Sequence, residues 1–158
     1  MVILLEEEEL LYKSLIYATD FNEIILQKAR QGIFPTERMK LYTRNYQLAG
    51  GKDSFSRYYN VKNSVANMDK NLKKNIIFAT HNLATDGVFG EMHLIMCRNV
   101  MIYFDKELQD RVIGLFHDSL IRKGILCLGE KESLRFTHYN RMFDELIAHE
   151  KIFQKPLR

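Results

Sequence analysis

Short apolar runs along the chain predict buried β-strands. Four of them are four to seven residues long, too short for helices in a folded core, and they occupy 15–19, 75–81, 91–97 and 125–128. Two further short runs, at 143–148 and 151–155, have the length of edge strands. We expect these last two to pair with each other in antiparallel fashion.

Between the strands, apolar residues recur at helical spacing and predict helices at 2–12, 21–30 and 106–121. The last pattern is the clearest, because Asp105 is a natural N-cap and Gly124 lies past its end. Buried strands that alternate with helices favour an α/β fold, in which helices cover both faces of a mostly parallel sheet.

The segment 32–75 interrupts this alternation. It contains Pro35, the pair Gly50-Gly51 and few long apolar runs, so we expect an insertion outside the main sheet. Within it, residues 54–61 alternate loosely and predict a strand of a small antiparallel unit.

Charge is unevenly distributed. From residue 38 to residue 74 there are nine Lys and Arg against two Asp, a local charge of +7 in a chain of +3. This segment could be only the solvated surface of the insertion. Alternatively, it could steer an anionic partner, either a nucleic acid or an acidic protein.

Composition excludes several classes of protein. Apolar residues make up 46% of the 158 residues and charged residues 27%, which is typical of one globular domain or part of one and excludes a disordered chain. No apolar run approaches the ~18–20 residues that cross a bilayer, so we expect no direct membrane insertion. Cys97 and Cys127 lie in apolar runs without a CxxC pattern, and we expect reduced core residues of a cytoplasmic protein rather than metal ligands.

Polar residues at the ends of the predicted strands are the candidates for chemistry, because parallel sheets bind ligands at the carboxyl ends of their strands. Asp20 could accept hydrogen bonds from both hydroxyls of a ribose, or it could cap the next helix in a D-x-x-E pattern. Asn82 could bind the edge of an adenine or begin an ordinary turn. Arg98, followed by Asn99, could bind an anion or form a structural ion pair with Asp105. We expect these strand ends to lie along a common rim.

Four short motifs occur in an order that resembles the CheR family of chemotaxis methyltransferases. They are ATDFN at 18–22, THNL at 80–83, CRNVMIYFD at 97–105 and LGEKESL at 128–134. The resemblance extends from about residue 3 to residue 154, and CRNVMIYF is its most specific part. It implies a Rossmann-like class I fold that uses S-adenosylmethionine to methylate glutamate side chains of chemoreceptors. The expected product is S-adenosylhomocysteine, and no metal is expected.

The resemblance also implies a set of cofactor-binding residues. Asp20 would bind the ribose of the cofactor. Asn82 and Leu83 would lie on the adenine side, with Asn99 beside the same pocket. Arg98 would contact the cofactor at its reacting end.

At the reacting end, the resemblance implies that Arg98 orients the acceptor carboxylate and that Tyr103 lines the methyl-transfer pocket. No general base is required, because a glutamate of ordinary pKa, about 4.3, is already ionised at neutral pH. The insertion at 35–75 corresponds to the small β-subdomain of the family, which in some members docks a receptor peptide along a sheet edge. Its positive charge suits the glutamate-bearing cytoplasmic helices of receptors as substrate.

One part of the family pattern has no counterpart in this sequence. A glycine-bearing first loop, which holds the methionine part of the cofactor, should precede residues 2–12, but the first glycine is Gly32. We therefore expect residues 1–158 to form a partial methyltransferase domain without its first strand and loop. The unpaired strand edges that this would leave could be covered by dimerisation.

Two other functions compete with this interpretation. A binding module without catalysis, derived from the same domain, could recognise receptors or another signalling protein. A nucleic-acid methyltransferase shares the sheet but usually has an N/D-P-P-Y/F-type motif or a cysteine nucleophile motif, and neither is present. Nucleic acid is therefore not expected as a partner.

Overall fold

The computed structural model describes residues 1–147 and 149–157, and the chain divides into two compact units, residues 1–81 and residues 82–158. In the described part of the chain, no helix has both the length and the apolar character that crossing a membrane requires.

The first unit contains one parallel strand pair and one small antiparallel sheet. Its elements in chain order are α1 (Val2–Glu7), β1 (Ile16–Asp20), α2 (Glu23–Gln31), β2 (Ile33–Pro35), α3 (Met39–Leu48), β3 (Tyr59–Lys62), β4 (Val65–Met68) and β5 (Ile76–Thr80).

The predicted strands β1 and β5 pair in parallel, with Ile16 opposite Ile76 and Asp20 opposite Thr80. Helix α2 follows β1 and ends where the sequence predicts, because Gly32 adopts the left-handed conformation (φ 66°) that closes a helix. Helix α1 is shorter than the predicted 2–12, since the chain leaves the helix after Glu7.

The insertion forms the expected antiparallel unit, in which β4 lies between β2 and β3. The strand predicted at 54–61 begins only at Tyr59, because Phe55–Tyr58 forms a 3-10 helix. Helix α3 was not predicted from the sequence. Two tyrosines of this helix make aromatic contacts: the Tyr42 ring packs against Phe34, and the Tyr46 ring packs against Phe55.

The second unit contains a four-stranded sheet in the order β6-β7-β9-β8. Strands β6 and β7 are parallel, and β8 and β9 form the predicted antiparallel pair at the carboxyl end. The α/β class with parallel strands and an antiparallel edge is thus confirmed. The elements are β6 (Met92–Cys97), α4 (Lys106–Ser119), β7 (Leu120–Leu128), β8 (Asp144–Ile147) and β9 (Ile152–Gln154).

Several boundaries in this unit differ from the prediction. Helix α4 has the predicted cap at Asp105 but ends at Ser119, two residues early, and β7 begins at once. The register of β7 on β6 is irregular there, and Lys123 (φ 63°) and Gly124 form the irregular part of the strand. At the other end, residue 148 of the predicted strand 143–148 lies outside the described residues.

The buried side chains of α4, β7 and the segments around them form one apolar core in the second unit. Cys97 and Cys127 are both unpaired, as predicted; Cys97 lies in the core and Cys127 is half-buried. The core residues are Cys97, Met101, Val112, Ile113, Phe116, Leu120, Leu126, Leu128, Leu134, Phe143 and Phe153.

Candidate functional site

Asp20 is half-buried at the end of β1. Its Oδ1 accepts a hydrogen bond from the backbone N–H of Asn22 at 2.8 Å. Asn22 itself caps α2, because its Oδ1 accepts from the N–H of Ile24 at 2.9 Å. The capping explanation of Asp20 is therefore wrong. Its Oδ2 has no hydrogen-bond partner among the described residues and remains an acceptor.

Asn82 begins a turn two residues after β5. Its Oδ1 accepts from the N–H of Ala84 at 3.0 Å, and its backbone N–H donates to Oδ2 of Asp86 at 2.8 Å. The turn interpretation is thus confirmed, and it leaves the side-chain N–H donors without a partner in the described part of the chain. Leu83 is half-buried and packs against the core of the second unit.

Arg98 directly follows β6 and is exposed. It forms no salt bridge with any residue in the described ranges. Asp105 instead caps α4, where its Oδ1 accepts from the N–H of Leu108 at 2.8 Å. The proposed Arg98–Asp105 pair is therefore wrong. Its guanidinium is available to an anion from solution.

Asn99 adopts a left-handed backbone conformation (φ 60°) and lies against Gly129, which follows β7. A Cβ atom on Gly129 would be 2.9 Å from the backbone N of Asn99 and 3.0 Å from its Oδ1. A contact of 2.9 Å to a backbone atom is closer than real Cβ atoms make, so glycine is required for this approach.

Glu132 fixes the backbone of this loop. Only 4% of the residue is exposed, and its Oε1 accepts from the N–H of Val100 at 2.9 Å and of Met101 at 2.8 Å. Its Oε2 accepts from the N–H of Gly129 at 2.6 Å. One carboxylate therefore joins the chain after β6 to the chain after β7.

Sequence reasoning missed Glu132, although it quoted the motif that contains it. The sequence contains a signal for this role. Glu132 is an acidic residue three positions after Gly129, which follows a buried strand, and the buried Leu134 comes two residues later. An acid buried in such a place requires several donors.

Tyr103 ends a short 3-10 helix, Met101–Tyr103, and is 81% exposed. The opposite end of that helix is anchored, because Met101 is buried in the core and its N–H is bound by Glu132. The segment from Arg98 to Tyr103 therefore presents exposed side chains from a fixed backbone.

The two cysteines do not supply a nucleophile. Burial, and secondarily the negative charge of Glu132, raises the pKa of the Cys97 thiol to about 12. Burial also raises the pKa of Cys127, against a smaller lowering effect of Arg98. Both thiols are therefore protonated at neutral pH. Among the described residues, no group of three or more His, Cys, Asp or Glu side chains is arranged to hold a metal ion.

The predicted site residues thus fall in both units. Asp20 belongs to the first unit. The second unit carries Asn82 and Leu83 in one turn, and it brings Arg98, Asn99 and Tyr103 together in the loop after β6.

The chain matches the protein-family model described as CheR methyltransferase, SAM binding domain, over residues 1–152. A protein of Pseudomonas putida named putative methyltransferase Cher3 is 50% identical over 155 residues, which cover 98% of this chain and 57% of that protein.

Two more distant relatives are named chemotaxis protein methyltransferase. The one from Escherichia coli is 33% identical and covers 81% of this chain and 43% of its own length. The one from Borreliella burgdorferi is 28% identical and covers 83% of this chain and 44% of its own length. The chain therefore spans about half the length of these relatives.

Proposed function

The chain belongs to the family of CheR methyltransferase SAM-binding domains, and from this premise we propose that it binds S-adenosylmethionine and transfers its methyl group to glutamate side chains of chemoreceptors. The observation that carries the proposal is the exposed, unpaired Arg98 on a backbone that Glu132 fixes. The relatives named chemotaxis protein methyltransferase support the same activity, and no comparison favours a non-catalytic module.

The cofactor-binding roles agree with the contacts described above. Asp20 retains a carboxylate oxygen that can accept from a ribose hydroxyl, because only Oδ1 is used by Asn22. Asn82 retains its amide N–H groups for acceptor atoms of adenine, beside the apolar Leu83. Asn99 is proposed to contact the same part of the cofactor. Each role remains a proposal that substitution can test.

At the reacting end, Arg98 is proposed to bind the acceptor carboxylate and hold one oxygen in line with the methyl carbon. S-adenosylmethionine supplies a methyl group on a positively charged sulfur. The carboxylate oxygen forms the new bond to carbon while the sulfur keeps the electrons of the broken bond, so no proton moves and no base is needed. Tyr103 is proposed to line the pocket around the methyl group and exclude water.

The insertion is proposed to be a basic subdomain, residues 35–75, that attracts the acidic receptor helices. Part of its charge is used internally, because Lys52 pairs with Glu8, Arg57 pairs with Asp53, and Lys73 Nζ donates to two carbonyl oxygens at the end of α2. The remaining cations are exposed and have no ion-pair partner among the described residues: Arg38, Lys40, Arg44, Lys62, Lys70 and Lys74.

Strands β2 and β3 are the two edges of the small sheet, and an edge strand can accept a peptide tail by adding a strand. We propose such docking for receptors that carry a tail. Dimerisation through strand edges and a cytoplasmic location stay predictions.

Calorimetric titration of the full chain with S-adenosylhomocysteine tests the proposal, combined with methyl transfer to receptor fragments. We expect measurable binding by the unaltered protein and weaker binding by Asp20→Ala. Arg98→Ala should lower methyl transfer by about 100-fold, because the acceptor loses its orientation. The matched control is Arg122→Ala, which removes an exposed arginine of β7 and should change neither measurement. Absence of heat with the unaltered protein would contradict the proposal and leave a binding module.

A further inference from the structure

We propose that Glu132 is a positioning residue, whose buried carboxylate sets the backbone through which Arg98 and Asn99 reach acceptor and cofactor. This inference rests on the function proposed above. It concerns a residue that touches neither ligand and acts only through its neighbours.

Glu132 binds backbone N–H groups in and beside the loop that carries Arg98 and Asn99. Its Oε1 accepts from the N–H groups of Val100 and Met101, the two residues directly after Asn99. Its Oε2 accepts from Gly129, whose Cα lies against Asn99. The carboxylate therefore holds the loop both directly and through the glycine that packs on it.

The chemistry of a carboxylate suits these three donors. Three N–H groups point at two oxygens, and a carboxylate presents acceptors only. A glutamine of the same shape has one oxygen and one NH₂ group, so one donor among the three would face another donor. An apolar residue would leave all three N–H groups buried without acceptors.

The side chains of Arg98 and Asn99 have no hydrogen-bond or ion-pair partner among the described residues. Arg98 forms no ion pair in the described part of the chain, and the left-handed conformation of Asn99 is unfavourable for a residue with a Cβ atom. Because Glu132 holds this backbone conformation, the side chains of Arg98 and Asn99 project from a rigid backbone and stay free to bind.

Glu132→Gln is the direct test, and Glu130→Gln is its matched control, because Glu130 is an exposed acid in the same loop. Amide hydrogen exchange should be faster at Val100 and Met101 in Glu132→Gln only. We expect S-adenosylhomocysteine to bind about 10-fold more weakly and methyl transfer to fall by 10- to 100-fold, since small displacements of a reacting group have effects of this size.

A merely structural role is distinguished by a double-mutant cycle. If Glu132 acts through Arg98, the fold-loss of methyl transfer caused by Glu132→Gln should largely disappear in an Arg98→Ala background. Additive losses in the cycle would overturn the inference, as would unchanged binding and transfer in folded Glu132→Gln. If that variant does not fold, Gly129→Ala replaces it, because its Cβ would be 2.8 Å from Oε2 of Glu132 and 2.9 Å from the backbone N of Asn99 and would push this carboxylate and the loop apart. Binding and transfer equal to those of the unaltered protein would then overturn the inference.

The outcomes separate this inference from the proposed function. If the unaltered protein neither binds S-adenosylhomocysteine nor transfers methyl groups, the proposed function fails, and the role of Glu132 fails with it. If the unaltered protein does both and Glu132→Gln equals Glu130→Gln, only the role of Glu132 fails.

Discussion

Glu7 in the first unit and Glu132 in the second each accept three hydrogen bonds, but from different kinds of donor. Oε1 of Glu7 accepts from the hydroxyl groups of Tyr46 and Tyr58, and its Oε2 accepts from the backbone N–H of Lys52 at 3.3 Å. Glu132 accepts only from backbone N–H groups. The first arrangement depends on the identity of two tyrosines, whereas the second depends on the path of the chain.

The two units also differ in how their side chains pack. The second unit has a continuous apolar core, and Glu132 is buried at its edge. In the first unit, Glu7 joins helix α1 to the insertion through side chains, and the Tyr46 ring packs on Tyr58 and covers Gly51. We therefore expect the second unit to depend mainly on apolar volume and the first partly on a network of hydroxyl groups.

The largest effect is expected from a cavity in the second core. Leu126 has no exposed surface, and Leu126→Ala should lower the free energy of unfolding by about 2–5 kcal/mol. Denaturant unfolding measures this change. The control is Leu94→Ala on the adjacent strand β6, where 40% of the leucine is exposed, and its effect should be much smaller. Equal effects would contradict the view that this core dominates the stability of the unit.

A smaller effect is expected from the hydroxyl network. Tyr58→Phe removes one donor to Glu7 and should lower the free energy of unfolding by about 1 kcal/mol. Tyr59→Phe is the matched control, because the neighbouring hydroxyl has no hydrogen-bond partner among the described residues. If both variants unfold at the same denaturant concentration, the network does not contribute to stability.

The smallest effect is expected in acid. The hydrogen bond from Tyr46 lowers the pKa of Glu7 below the ordinary value of a glutamate, with a smaller lowering contribution from Tyr58. A carboxyl group with a lowered pKa stabilises the folded state fully above that ordinary value, and this stabilisation is lost as the pH falls through the lowered pKa.

Glu7→Gln should therefore lose less stability than the unaltered protein between about pH 5 and pH 3. Unfolding by denaturant across this pH range measures the slope. Glu6→Gln, on the same helix and without a side-chain contact in the described residues, should keep the slope of the unaltered protein. Equal slopes for the unaltered protein and Glu7→Gln would show that Glu7 is not a source of acid sensitivity.

Features that depend on neighbouring residues could be predicted from the sequence. The cap at Asp105, the end of α2 at Gly32 and the parallel strands follow from local spacing and turn chemistry. Helix α3 also had a local signal, because Met39, Tyr42 and Tyr46 recur at helical spacing. The signal was concealed because the exposed Leu41 and Leu48 lie outside this spacing.

Features that depend on distant partners could not be predicted. Glu132 binds amides 31 and 32 residues earlier in the chain, and Glu7 binds a tyrosine 39 residues later. Two of the alternatives left open by the sequence are also wrong, the cap at Asp20 and the pair of Arg98 with Asp105. Asp20 accepts instead from the backbone N–H of Asn22 through one oxygen, and Arg98 has no ion-pair partner among the described residues, so both keep polar atoms for the ligand roles that we propose.

Because Glu132 accepts only from backbone N–H groups, one of the residues that supply these groups, Val100, can be substituted. Any amino acid except proline supplies an N–H group at position 100, where Val100 is partly exposed. Substitutions there can alter the surface beside Arg98 without loosening the loop. Under the proposed function, position 100 can therefore change with the receptor while Glu132 still binds the backbone beside Arg98.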